Sequence, residues 1–272
     1  MLLLGLGLPL FAATEDSEHF FPLSKNLLKN QRGMPPPYGA AAVYTWVDSD
    51  WTITSAKVGL DNANVPAEFA ANSKANVNLS TAGVKLDVWI LPFFNLFTVV
   101  GKTNANVQLI FSGAPIGYIP PSLGNPAAIV RGDAVVDFDM NGNYVTIGGV
   151  LIGGYKKFFA SVDFSATEID FGHKDLVHGD QDMTFSIAPR LGYVVGLTQI
   201  WLGGRYFNYS SSYGGTVPVS NGGRFSFDVD LDSSAWNLSG GIRTVINEHW
   251  EVLLEVGVGK RRMIASSLGY RW

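Results

Sequence analysis

From Trp51 onward, apolar residues recur at every second position in one segment after another. In FTVVGKTNANVQLIF (Phe97 to Phe111), one parity holds Phe97, Val99, Val107, Leu109 and Phe111. The other parity holds Lys102, Asn104, Asn106 and Gln108. Side chains of a strand point alternately to its two faces, so this spacing predicts a strand with one greasy and one polar face. Its 15 residues exceed the five or six typical of globular sheets. The same alternation sets Met183, Phe185, Ile187, Leu191 and Tyr193 against Thr184, Ser186 and Arg190. It sets Trp250, Val252, Leu254, Val256 and Val258 against Glu251 and Glu255. VDFSATE, WNLSGGIRTVI and IASSLGYRW repeat it, and nothing beyond Trp51 sustains a helical period. The expected class is all-β.

The connections alternate as well. YKK (155–157), VGL (195–197) and NEH (247–249) read as tight turns. Between them fall longer stretches, Asp61 to Asn76, Ser112 to Gly132, Gly172 to Gln181 and Ser211 to Leu231, which read as loops. Short turns at one end and long loops at the other predict a closed antiparallel up-and-down transmembrane β-barrel. Closure is required because an unpaired sheet edge in hydrocarbon costs several kcal/mol per open group. Expected strands lie near 51–60, 77–89, 97–110, 143–154, 158–171, 182–195, 198–209, 234–246, 250–259 and 263–272, ten in all. Tyr38 to Val47 and Asp133 to Met140 are two further candidates; counted as strands they give twelve, and otherwise they form an entry arm and a hairpin extension.

Composition separates this pattern from a soluble sandwich. Hydrophobic residues are 47% and charged residues only 15%, against about 25% in soluble domains. The polar parity is rich in Ser, Thr, Asn, Gln and Gly, which suits a confined hydrated lumen more than bulk water. Trp89, Phe93, Phe94, Phe97, Tyr155, Phe158 and Trp250 stand beside strand ends, where aromatics mark the rims of a bilayer-spanning band. The net charge of −4 supplies no basic footprint for nucleic acid. The absence of cysteine excludes a disulfide scaffold and thiolate zinc sites.

The apolar run MLLLGLGLPLFAA is too short for a membrane helix and fits the apolar region of a secretory signal, giving an expected segment 1–14. Residues 15–50, with three consecutive prolines, read as an arm or linker, and 51–272 as the barrel.

IASSLGYRW, with Leu268, Tyr270 and Trp272 on one parity, resembles the C-terminal signature of Gram-negative outer-membrane β-barrel proteins, which more often carry phenylalanine at the last position. The resemblance implies residence in the outer membrane of a Gram-negative bacterium. It also implies contact with outer-membrane lipid and recognition of Leu268, Tyr270 and Trp272 by the barrel-assembly machinery.

Three constellations are candidates for chemistry. Inward positions are expected to hold Lys85, Asp87, Lys102, Asp163, Arg190, Arg205, Arg243, Glu251, Glu255 and Arg271. Such charges either line a water-filled path and set its selectivity or pair across the lumen and seal it. DFDMNGN opens like a calcium loop, but position twelve is Gly148 instead of glutamate, which favours a hairpin turn at Asn141-Gly142. His173, Asp175, His178, Asp180 and Asp182 cluster on an expected outer loop, where a polar loop, a hydrolase site or a metal site are the alternatives. The expected function is a narrow channel or passive conduit for small polar solutes, with no cofactor and no metal. Its rivals are a non-transporting barrel with a salt-bridged lumen, an outer-membrane hydrolase and a soluble ligand-binding barrel.

Overall fold

The computed structural model describes residues 36–60, 63–65, 73–119, 128–172, 176–181, 183–218, 224–247 and 249–272. The proposed signal segment and His19 lie outside them. Every regular element among them is a strand: β1 (Tyr38–Leu60), β2 (Ala63–Val65), β3 (Lys74–Leu91), β4 (Phe94–Ile119), β5 (Ala128–Tyr155), β6 (Phe158–Gly172) and β7 (Leu176–Gln181). These are followed by β8 (Thr184–Val195), β9 (Thr198–Asn208), β10 (Ser210–Pro218), β11 (Arg224–Asp232), β12 (Ala235–Val245), β13 (Trp250–Gly259) and β14 (Arg261–Arg271).

Ten strands form a closed antiparallel ring in the order β1-β3-β4-β5-β6-β8-β9-β12-β13-β14. Pairing of β1 with β14, from Gly39 opposite Arg271 to Ser49 opposite Arg261, closes it. Trp272 joins the seam by donating its N–H to the Tyr38 carbonyl at 3.1 Å. The barrel thus begins at Tyr38. The segment read as an entry arm is the closing half of β1, because an edge left beside β14 would expose its hydrogen-bonding groups to lipid.

One end of the ring carries the tight turns. Lys156-Lys157 and Gly196-Leu197 are two-residue hairpins, and Lys156 (φ 56°) and Gly196 (φ 60°) supply the positive φ such turns need. At the third, Asn247 Oδ1 accepts from the N–H groups of His249 and Trp250 at 3.0 and 2.9 Å.

A belt of large apolar side chains covers the outside above these turns. Leu191 is 72% exposed, Leu202 69%, Ile147 65% and Leu238 62%. Each such side chain forgoes about 1.5–3 kcal/mol if it faces water, so a belt of them is stable only against acyl chains. Aromatics gird its turn-side rim: Phe158 lies 5.0 Å from Tyr193, and Trp250 5.1 Å from Tyr270. The opposite rim follows one hydrogen-bonded row, Tyr44–Ala82–Lys102–Asn143. Val84, Val100 and Val145 lie on the apolar side of that row, while Asn78, Asn104 and Asn141 lie beyond it.

Past the row, β1, β3, β4 and β5 continue outward. β13 and β14 have 10 and 11 residues, close to the 9–11 a bilayer-spanning strand needs, whereas β5 has 28. Where β14 has ended, β11 takes its place beside β1, and β10 and β7 extend the sheet. Much of what reads as loop at Ser112–Gly132 and Ser211–Leu231 is therefore paired strand.

In this outer extension the polarity is reversed. Val107, Leu109 and Phe111 point inward and are buried, while Lys102, Asn104 and Asn106 face out. They pack with Ile53, Phe227, Val229 and Leu231 into a dry core. Outside lies an amide and carboxylate ladder, in which Asn76 Nδ2 donates to Asp50 Oδ1 at 3.2 Å and Asn106 Nδ2 to Asp139 Oδ1 at 2.9 Å. Beyond the bilayer the exterior is water, so greasy residues gain by turning inward. Asn141-Gly142 is likewise no turn: β5 runs through it, paired to Asn104 and Thr103 on one side and to Gly172 and Phe171 on the other. Asp137 and Asp139 are exposed positions of that strand, so no calcium loop forms.

Candidate functional site

The barrel encloses a cavity of about 430 Å³ between the turn end and the outer core. Inward parity brings nine of the expected lumen residues to its wall: Lys85, Asp87, Asp163, Arg190, Arg205, Arg243, Glu251, Glu255 and Arg271. Lys102 is the exception. It stands on the outer face at the rim of the lipid band, where its ammonium reaches headgroup water from an apolar surface. Trp89 and Phe97, expected in the outer aromatic rim, face the cavity instead.

The lumen charges form two clusters. Near the turns, Arg271 Nη2 donates to Asp87 Oδ2 at 2.7 Å, and Asn95 Nδ2 donates to the same oxygen at 2.9 Å. Arg243 pairs with Glu251 through Nε (3.2 Å) and Nη2, and Arg271 Nη1 lies 3.9 Å from the second Glu251 oxygen. The Lys85 ammonium sits 4.9 Å from the Phe97 ring centroid.

Higher in the barrel, Glu255 is held by two guanidinium groups, Arg190 Nη2 at 2.8 Å and Arg205 Nη2 at 3.0 Å. Arg190 also faces Asp163 at 3.6 Å and lies over Trp201, 5.6 Å from its ring centroid. β8 and β13 are three places apart in the ring of ten, so the Arg190–Glu255 bond spans a chord of the lumen. The facing wall carries small groups, among them Thr45 on β1 and Thr81 on β3. The bridge therefore narrows the passage from one side.

Two glycines allow flat aromatics inside this narrow ring. A Cβ at Gly241 would come within 2.3 Å of the Trp201 ring, and one at Gly192 within 2.2 Å of Phe159. At the outer end, Arg261 lies over Phe207 at 4.9 Å and donates to the Ser233 carbonyl. Above it, Trp51 packs 4.4 Å from Tyr209, whose hydroxyl is 2.6 Å from that of Tyr213.

Arg261, Trp201, Phe207 and Trp51 were not among the expected lumen residues. Parity carried the signal for three of them: Arg261 is an even number of residues from inward Arg271, and Trp201 and Phe207 from inward Arg205. The side chains of His173, Asp175, His178, Asp180 and Asp182 lie outside the described residues; the backbone places His178 and Asp180 on β7.

No family model matches the chain, and no curated protein matches it either. The chain is similar to the outer membrane protein OprG from Pseudomonas aeruginosa, at 12% identity and a TM-score of 0.46 over 88% of this chain and 99% of that one. It is similar to the transport unit of the autotransporter AIDA-I from Escherichia coli, at 11% and 0.42 over 91% and 92%. An outer membrane channel from Pseudomonas putida F1 aligns at 8% and 0.40 over 89% and 98%. The closed even-numbered ring, apolar band, aromatic rim and asymmetric ends are those of a membrane-spanning β-barrel in their own right. This is a transmembrane β-barrel.

Proposed function

We propose that the barrel is a narrow outer-membrane conduit for small solutes, with a preference for anions. The observation that carries this reading is the cavity of about 430 Å³ lined by six cationic side chains and four carboxylates. A barrel serving only as a scaffold would fill its interior with packed side chains, as small barrels do. Here the charges ring an unfilled space, and rings of arginine and lysine favour anions. The outward row of Leu268, Tyr270 and Trp272 supports a role for these residues in contact with lipid and with the barrel-assembly machinery.

Planar-bilayer recording of the purified protein tests the conduit. The expected result is discrete ion current whose reversal potential in a salt gradient lies toward the anion. Heat-modifiable, folded protein that passes no current would remove it. That silent outcome belongs to the second reading, a non-transporting barrel, which the dry core of Leu109, Phe111, Phe227 and Leu231 over the outer end favours.

A further inference from the structure

The cavity has two unlike walls. β1, β3, β4 and β5 contribute apolar groups, including Val47, Leu79, Val77, Val107 and Met140. β6, β8, β9, β12, β13 and β14 contribute all the guanidinium groups and three of the four carboxylates, while Lys85 and Asp87 stand near the turn end of β3. Such division is not needed by a water-filled pore, which gains nothing from a greasy wall.

Within the charged side, one arginine differs from the rest. Arg190, Arg205, Arg243 and Arg271 each bind a carboxylate at 3.2 Å or less. Arg261 is 7% exposed, yet no carboxylate lies within 4.0 Å of it among the described residues. Its Nη2 is used by the Ser233 carbonyl, while its Nε makes no hydrogen bond. The neighbouring hydroxyls of Ser49, paired opposite Arg261 across the seam, and Ser239 are 3% and 2% exposed and equally unpartnered. Asp232 attracts Arg261 only from beyond 4.0 Å, and a buried charge with no contacting carboxylate beside spare donors is costly unless something supplies closer negative charge and acceptors.

We infer that the lumen binds a small amphipathic organic anion, with its carboxylate at Arg261, Ser49 and Ser239 and its apolar body along the β1–β3–β4 wall. Val47, two residues from Ser49 on the same face of β1, and Met263, two residues from Arg261 on β14, put that greasy surface directly beside the anion position. A volume of about 430 Å³ lies within the usual range for ligand pockets and accommodates a carboxylate with a short alkyl or aryl body. This names the solute class of the conduit and rests on that reading only in requiring that the lumen be reachable.

The test is calorimetric titration of the full chain in lipid nanodiscs, with empty nanodiscs as blank, using hexanoate, acetate, hexanol and hexylammonium. Hexanoate is expected to bind saturably, at least tenfold tighter than acetate, which lacks the body, and than hexanol and hexylammonium, which lack the negative charge. Arg261→Gln should weaken hexanoate at least tenfold and leave hexanol unchanged, while Arg261→Lys stays within threefold of the native protein. Equal binding of hexanoate and hexylammonium, no saturable hexanoate binding, or a folded Arg261→Gln that binds hexanoate normally would overturn the inference. If Arg261→Gln does not fold, the four-probe comparison on the native protein decides alone. Current in bilayers without hexanoate binding sinks this inference and spares the conduit; binding without current does the reverse.

Discussion

Arg271 on β14 reaches Asp87 on β3 by passing over Gly39 of the intervening β1, with contacts of 2.7 and 3.3 Å. A Cβ at residue 39 would stand 2.7 Å from Asp87 Oδ1 and 2.9 Å from Arg271 Nη1. The glycine is thus the gap through which the pair clamps three strands at the closing seam. Arg271→Gln leaves a buried carboxylate without its counter-charge, a loss of about 3–5 kcal/mol. Urea unfolding in lipid vesicles should show the midpoint falling in Arg271→Gln and recovering in part in the Arg271→Gln/Asp87→Asn double variant. An unchanged midpoint in the single variant would contradict the clamp.

Glu255 gathers Arg190 and Arg205 to one side of the lumen. Glu255→Gln removes the negative charge that holds them and raises the net positive charge of the passage. Single-channel conductance should change and the reversal potential move further toward the anion. A shift toward cations would contradict the placement of these groups in the conducting path.

Trp201 lies flat only because position 241 carries no side chain. Gly241→Val forces the indole into the passage or off its rotamer, at a cost of about 1–3 kcal/mol for overpacking. Reduced stability together with reduced conductance is the expected pair of results; normal values of both would remove the close contact.

Leu109 and Phe111 are fully buried in the outer core. Leu109→Ala should cost about 2–5 kcal/mol locally, as for other large-to-small core changes. Because the bilayer-spanning ring is untouched, heat-modifiable migration should persist while proteolysis of the outer extension speeds up. Equal protease resistance would show that the extension does not depend on this core.

Tyr209 and Tyr213 lie in the outer extension, beyond the lipid band, and burial raises the pKa of both, that of Tyr209 more strongly. The neutral phenols are favoured in the folded state, so their contribution is complete below the ordinary value near 10. It is lost as pH rises through the higher folded values, where the unfolded chain has already released the protons. Absorbance titration at alkaline pH should therefore show a late-ionising group of tyrosines, and Tyr213→Phe should reduce its amplitude by one residue.

Parity alone located most of the lumen. Arg190, Arg205, Arg243, Glu251 and Glu255 stand on short strands whose opposite parity, including Leu191, Leu202, Ile242 and Val256, faces lipid, so one alternation has one meaning there. It failed at Lys102, where β4 crosses from bilayer into water within two residues of Val100. The same alternating letters then describe a strand whose greasy side has turned from lipid to a dry core. Asn141-Gly142 failed for a related reason: a turn dipeptide is overridden when both neighbouring strands continue past it and satisfy its backbone.

By itself, the sequence determined that the chain is all-β, that it closes as a barrel of ten or twelve strands, and which residues of the short strands look inward. These follow from local periodicity and from the demand that backbone groups be paired in hydrocarbon. Only the tertiary structure decided where the bilayer ends along each strand, which charges bridge the lumen, and that Arg261 has no carboxylate beside it. Those depend on register and on distances between strands far apart in the chain, and a period of two carries no information about either.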